Sequence, residues 1–179
     1  MISNIIYLQA FVIGTCIGSF LNVVIYRLPN DLSIIKPRSF CPSCKTQLTW
    51  RENIPLISWF MQRGKCKTCK TTISFRYPLI EILTGFLFII SLNSSPSLYA
   101  SSSNWFFNTC FSWIFLSLLI CISLIDIDYL WIPQGLINFG FISGFLGLIF
   151  LSINGNEFID FAFLIKGLGS SFISFLIFD

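Results

Sequence analysis

Charge is what this chain of 179 residues lacks: 11% of its residues are Asp, Glu, Lys or Arg, against roughly 25% in an ordinary soluble domain. With 55% hydrophobic residues, 21 Phe and a mean hydropathy of +0.80, no water-facing surface can be built from this composition. That excludes an ordinary soluble enzyme, a disordered tail and a coiled coil. The marks of a cleaved secretory leader are missing too: residues 1–9 contain no basic residue and no small-residue cleavage site is evident. The first apolar stretch is therefore expected to persist as an anchor. No internal repeat or low-complexity tract stands out beyond an enrichment in Phe and Ile.

The few charges are unevenly placed. Ten of the eleven Lys and Arg lie from Arg27 to Arg76, against only Asp31 and Glu52, so this segment carries +8. The remainder sets Lys166 alone against six acids, a balance of −5. A bilayer core needs about 20 apolar residues as helix, so the nearly charge-free stretches read as spans: 1–26, 78–92, 105–125, 133–152 and 161–178. The second is short and is expected to extend or tilt; Pro133 suits the first turn of the fourth. The expected fold is an all-α polytopic membrane protein with about five transmembrane helices. Basic loops close to spans stay in the cytoplasm, which predicts an outside amino terminus, a cytoplasmic 27–76 loop, and residues 126–132 also on the cytoplasmic side.

Four of the seven cysteines stand in that loop as Cys41-Pro-Ser-Cys44 and Cys66-Lys-Thr-Cys69. Each two-residue gap lets two thiolates reach one metal, and the neighbouring lysines favour the thiolate form, so the pattern suits tetrahedral Zn²⁺. The alternative, two disulfides, is disfavoured in a reducing cytoplasm. Four thiolates leave no open coordination position, which makes the expected zinc structural. It would staple a segment of some 50 residues too small to hold a core alone. Cys16, Cys110 and Cys121 fall inside predicted spans and are read as small packing residues. A basic zinc loop can bind nucleic acid, but topology already accounts for this charge and the loop aromatics form no recognised base-binding pattern, so no nucleic-acid partner is expected.

Gly18-Ser-Phe-Leu-Asn-Val-Val-Ile-Tyr-Arg-Leu-Pro29 leads into Cys41-Pro-Ser-Cys44. Asn53-Ile-Pro-Leu-Ile-Ser-Trp59 then leads through Arg63-Gly-Lys-Cys66 to Arg76-Tyr-Pro-Leu-Ile-Glu-Ile-Leu-Thr-Gly85. This succession resembles the amino-terminal half of the prepilin peptidases, the type IV leader peptidases of pilus assembly and type II secretion. The resemblance implies a polytopic aspartic endopeptidase of the bacterial inner (plasma) membrane. Such an enzyme removes the basic leader of prepilin or pseudopilin substrates at the cytoplasmic face, and many also methylate the new amino terminus with S-adenosylmethionine. No glycine-rich loop for that cofactor is evident, and no residues are assigned to it. The implied domains are 1–26, the first transmembrane helix; 27–76, the zinc-binding domain; and 77–179, an incomplete peptidase domain of four helices.

The third span ends Leu124-Ile-Asp126-Ile-Asp128-Tyr-Leu-Trp-Ile-Pro133. In the family the first aspartate of this pattern is catalytic, which carries over to Asp126; where the family often has an acid after the proline, this chain has Gln134. Without the resemblance, both aspartates would be read as markers of the span's water-facing end. Aspartic proteolysis needs two carboxyl groups a few ångström apart. Asp126 and Asp128 cannot be that pair on a helix, since two positions turn through about 200°. The family's second aspartate follows a G-x-G; here Gly167-Leu-Gly169 is followed by Ser170, Glu157 and Asp160 are expected at the outer face, and Asp179 is a poor substitute. The expectation is a chain that stops before its second catalytic motif and does not cleave by itself. The competing reading is a noncatalytic, membrane-anchored zinc module, or half of a split enzyme, that binds prepilins or assembly partners. Glu81, about a turn into the second span, is expected to snorkel or to pair with Arg76 or Arg27, the competing reading being a part in substrate or cofactor binding; Lys166 has no assigned role.

Overall fold

The structure, a computed structural model, describes residues 2–94 and 102–154. It contains five α-helices, α1 (Ile2–Arg27), α2 (Ile57–Met61), α3 (Arg76–Ser94), α4 (Ser102–Tyr129) and α5 (Gln134–Asn154), with 3-10 turns at Leu28–Asn30 and Trp50–Asn53. Among the described residues there is no β-strand, only isolated bridges between Phe40 and Gln47 and between Lys65 and Thr72. Among the described residues two segments, Asn4–Asn30 and Trp105–Tyr129, are long and apolar enough to cross a membrane by length and composition. The expected fifth span, with Lys166, Gly167, Gly169, Ser170 and Asp179, lies outside the described residues, as do Glu157 and Asp160.

The long helices follow the four expected apolar stretches, and the short second one extends to 19 residues. Helix is the state in which an apolar chain satisfies every backbone group within the segment. The end of α4 is set by Leu130, whose left-handed φ of 49° lets its N–H donate to the Asp126 carbonyl at 2.8 Å, a common helix termination. Pro133 falls one residue earlier than expected. It sits just before α5, and its carbonyl accepts the N–H groups of Leu136 and Ile137 at 3.0 and 3.3 Å.

Helices α1 and α3 run antiparallel in tight register. A Cβ built on Gly18 would lie 2.8 Å from the Glu81 Cα, and one on Gly14 would lie 2.7 Å from the Gly85 Cα. One turn further, Asn22 Nδ2 donates to the Tyr77 carbonyl at 3.2 Å. Each step of four back along α1 thus meets a step of four forward along α3. Such glycine-mediated approach is how apolar helices gain packing where lipid supplies no hydrophobic drive between them.

Helix α4 joins this pair. Trp113 stacks on Phe88 at 4.7 Å and donates its indole N–H to Ser91 Oγ at 2.9 Å. The shared core of Leu21, Val24, Ile25, Ile80, Ile120, Cys121 and Ile125 lies at the end of the bundle where α1 ends and α3 begins. Helix α5 folds back along α4, with Gly147 against the Phe111 ring and Gly140 near Leu118. Large apolar side chains point outward along all four long helices, among them Val12, Phe86, Phe115 and Phe145, a surface that water would not tolerate. Of the three cysteines outside the basic loop, Cys121 is buried as expected, Cys110 is half-buried, and Cys16 is exposed. Cys16 faces outward because Gly14 and Gly18 take the α3-facing side of their helix.

Candidate functional site

The basic segment folds on two hairpin knuckles that repeat one another. Cys41 N–H donates to the Thr46 carbonyl (3.0 Å) and Lys45 N–H to the Cys41 carbonyl (2.9 Å). Twenty-five residues later, Cys66 N–H donates to the Thr71 carbonyl (2.8 Å) and Lys70 N–H to the Cys66 carbonyl (2.9 Å). Lys45 and Lys70 share a left-handed conformation, φ 59° and 61°. Outside each turn, Leu48 N–H reaches the Ser39 carbonyl and Ile73 N–H the Gly64 carbonyl. No internal repeat is expected from the sequence, but these bonds expose one: Cys-x-x-Cys-Lys-Thr, with a branched aliphatic residue two positions on, occurs at Cys41 and again at Cys66. Extending the comparison past each second cysteine is what reveals it.

The knuckles bring all four cysteines together. Their sulfurs lie within 4.8 Å of one another, with Cys41 Sγ to Cys69 Sγ at 3.8 Å and Cys44 Sγ to Cys66 Sγ at 4.0 Å. A tetrahedral metal with bonds of about 2.3 Å would hold thiolates roughly 3.8 Å apart, so the set fits one such ion. All seven cysteines are free, and the chain has no histidine, leaving thiolate as the ligand available here. The surroundings prepare it. The Thr71 hydroxyl, 3.0 Å from Cys69 Sγ, brings that thiol down to about 6, and the backbone N–H of Cys44 lowers Cys41. At Cys66 the backbone N–H of Cys69 pulls downward, but burial and the adjoining thiols outweigh it and the thiol sits above its ordinary value.

A tryptophan ties the second knuckle to α2. Trp59 Nε1 donates to the Ile73 carbonyl at 3.2 Å, and its ring lies against Gly64 and edge-on to Phe75 at 5.5 Å. Gly64 has φ +64°, and a Cβ there would come within 2.8 Å of the indole, so glycine is required twice over.

Asp126 and Asp128 occupy the last turn of α4, at the end of the bundle from which the basic segment emerges. They diverge as the helix period dictates. Asp128 is taken by Arg76 at the start of α3, Nη1 to Oδ1 at 2.7 Å and Nη2 to Oδ2 at 2.6 Å, while Asp126 is exposed. Next to them, Asn30 Nδ2 donates to the Tyr129 hydroxyl at 3.2 Å. Glu81 does not pair with Arg76 or Arg27. Its carboxylate accepts the Leu56 N–H at 2.7 Å, whereas Arg27 donates to the Ser33 and Ile34 carbonyls. Buried between α1 and α3, Glu81 faces the loop's backbone and cannot reach either guanidinium. A cavity of about 280 Å³ opens between the Cys16, Ser19, Phe20 and Val23 side of α1 and the loop at Arg38 and Asn53.

Residues 12–94 match the family described as bacterial peptidase A24 N-terminal domain. A prepilin leader peptidase/N-methyltransferase of Myxococcus xanthus is 43% identical over 134 residues, covering 75% of this chain and 38% of that protein. The type 4 prepilin-like proteins leader peptide-processing enzyme of Escherichia coli is 38% identical over 139 residues, covering 68% and 49%. A prepilin leader peptidase/N-methyltransferase of Stutzerimonas stutzeri is 34% identical over 198 residues, covering 94% and 61%. The chain thus spans roughly half the length of these curated relatives. No solved structure matches.

Proposed function

From its membership of the prepilin leader peptidase/N-methyltransferase family, an enzyme family, we propose that this chain serves the cleavage of prepilin-like leaders at the cytoplasmic edge of the bacterial inner membrane. In this reading α1, α3, α4 and α5 span the bilayer, with the basic segment in the cytoplasm and the amino terminus outside. The observation that carries it is the position of Asp126: a free carboxylate at the end of an apolar helix, beside the start of α3 and held there by the neighbouring Arg76–Asp128 pair. Asp126 acts as one carboxyl of an aspartic dyad, in which one group activates water and a protonated partner polarises the scissile carbonyl. Asp128 is not that partner, being engaged by Arg76. The second carboxyl comes from another segment that bears the family's G-x-G-D, because Ser170 stands where that motif has aspartate and Asp179 lacks the glycines that shape it.

Cys41, Cys44, Cys66 and Cys69 hold a structural Zn²⁺. The ion would supply a cross-link that fixes the two knuckles; it has no open position for a substrate. The relatives named as N-methyltransferases extend the reading to methylation of the new amino terminus with S-adenosylmethionine. Ser170 favours the second reading, a noncatalytic zinc module or half of a split enzyme.

The deciding experiment incubates membranes containing this chain with a prepilin-like substrate, with and without a co-expressed segment bearing G-x-G-D. The expected result is cleavage only with the added segment, abolished by Asp126→Ala. Robust cleavage by residues 1–179 alone would overturn the need for that segment, and cleavage that survives Asp126→Ala would remove Asp126 from the mechanism.

A further inference from the structure

Helix α2 carries an apolar face that nothing among the described residues covers. Ile57, Phe60 and Met61, spaced to share one face of the helix, are 56%, 58% and 79% exposed. Trp59 points the other way, into the second knuckle. The short helix is anchored at both ends. On its carboxyl side Gly64 N–H donates to the Trp59 carbonyl at 2.9 Å. On its amino side Leu56 adopts φ 60°, ψ −56°, the rare and strained γ-turn, closed by Ile57 N–H on the Pro55 carbonyl at 2.6 Å. The Leu56 N–H is held by Glu81. The fold therefore spends backbone strain to aim α2.

Glu81 also sets the depth. It lies five residues into α3, about 7–8 Å along the axis from Arg76, and helical side chains lean back toward the amino end, so Leu56 is pinned beside the first two turns of an apolar helix. Those turns span the 5–10 Å to which interfacial apolar faces sink at the boundary between headgroups and acyl chains. The chemistry around α2 suits a negatively charged surface. Arg63 stands two positions past the end of the helix, and Lys65, Lys67 and Arg51 are exposed nearby in sequence. Arg51 stacks on Trp50 at 5.1 Å, and Trp50 is itself largely exposed, as aromatic residues at membrane interfaces are.

We propose that α2 is a lipid-docking element: Ile57, Phe60 and Met61 insert among the acyl chains beside α3 while the surrounding Arg and Lys engage anionic phospholipid headgroups. This rests on the membrane-spanning reading of α1 and α3 given above. Docking fixes the zinc knuckles against the bilayer instead of leaving them on a free loop.

The test places a photoreactive benzoylphenylalanine singly at Met61, at Phe115 on the outward face of α4, or at Gln47 on the first knuckle, in the full chain. The protein is reconstituted in nanodiscs of phosphatidylcholine, alone or with about one-third phosphatidylglycerol, and adducts are identified by mass. Expected are lipid adducts at Met61 approaching those at Phe115, about fivefold or more above Gln47, and increasing with the anionic lipid as basic residues near a charged surface require. Lipid labelling at Phe115 with Met61 no higher than Gln47 overturns the inference and leaves the membrane reading standing. Adducts from Met61 to a second copy of the chain overturn it as well. Absence of lipid adducts at Phe115 removes the membrane reading itself, and the inference with it.

Discussion

Arg76 and Asp128 meet through two parallel contacts of 2.6 and 2.7 Å, joining the first residue of α3 to the last turn of α4 across 52 positions of sequence. The fork of a guanidinium matches a carboxylate in this way and a lysine cannot. Because the side chains are 41% and 26% exposed, solvent screens the pair and its stability is modest, about 0.5–1 kcal/mol.

Its larger effect concerns the turn that carries Asp126. Arg76→Ala is expected to lower thermal stability only slightly while reducing prepilin cleavage in the complemented membrane assay by up to about a hundredfold, the scale on which a misplacement of about 1 Å costs rate. Arg76→Lys should recover little, and Arg76→Asp combined with Asp128→Arg should recover part. Loss of fold stability in proportion to loss of rate would mean that the pair does not position Asp126.

The glycine register makes a sharp prediction. Gly14→Ala and Gly18→Ala each bring a methyl group within 3 Å of backbone on α3, where no side chain can turn aside. Each should cost about 1–3 kcal/mol, measured as lowered thermal stability in detergent. Gly135→Ala, with nothing within 4 Å of its Cβ, should be neutral or stabilising by up to about 1 kcal/mol.

Metal analysis of the purified protein should find one zinc per chain. Cys41→Ser or Cys66→Ser should abolish it, and Cys16→Ser, remote from the cluster, should not. A strong chelator should leave the helical signal largely intact while making the 27–76 segment sensitive to protease, because the long helices do not depend on the knuckles for their backbone bonds.

Thr71→Val removes the hydroxyl beside Cys69. The Cys69 thiol, held at about 6 mainly by that hydroxyl, should rise toward its ordinary value of 9.0. A thiol that protonates more readily holds its metal less well against acid. Zinc should therefore leave Thr71→Val at a higher pH than it leaves the unaltered chain in an acid titration. An unchanged release pH would show that the hydroxyl does not set this thiol.

In one dimension Glu81 belongs either at the interface or beside a guanidinium, yet an N–H exposed by a strained turn at Leu56 is the partner that the fold brings within reach. Arg76, an expected partner of Glu81, instead binds Asp128. The repeat of the two knuckles is faint in the sequence because only the cysteines, the Lys-Thr pair and one branched aliphatic position correspond, whereas their shared backbone bonding is plain.

Charge placement and cysteine spacing along the chain were enough to locate the long helices, separate the basic segment and bring out the thiolate set. These are local properties, since a charge-free run of about 20 residues and two thiols three positions apart impose their consequences wherever the chain goes. Only the tertiary structure decided that Gly14 and Gly18 set the register of α1 on α3, that Asp128 belongs to Arg76, and that Glu81 aims α2. Those relationships join residues 25 to 71 positions apart, and they depend on which helix faces come into contact at distances of a few ångström, which no one-dimensional pattern specifies.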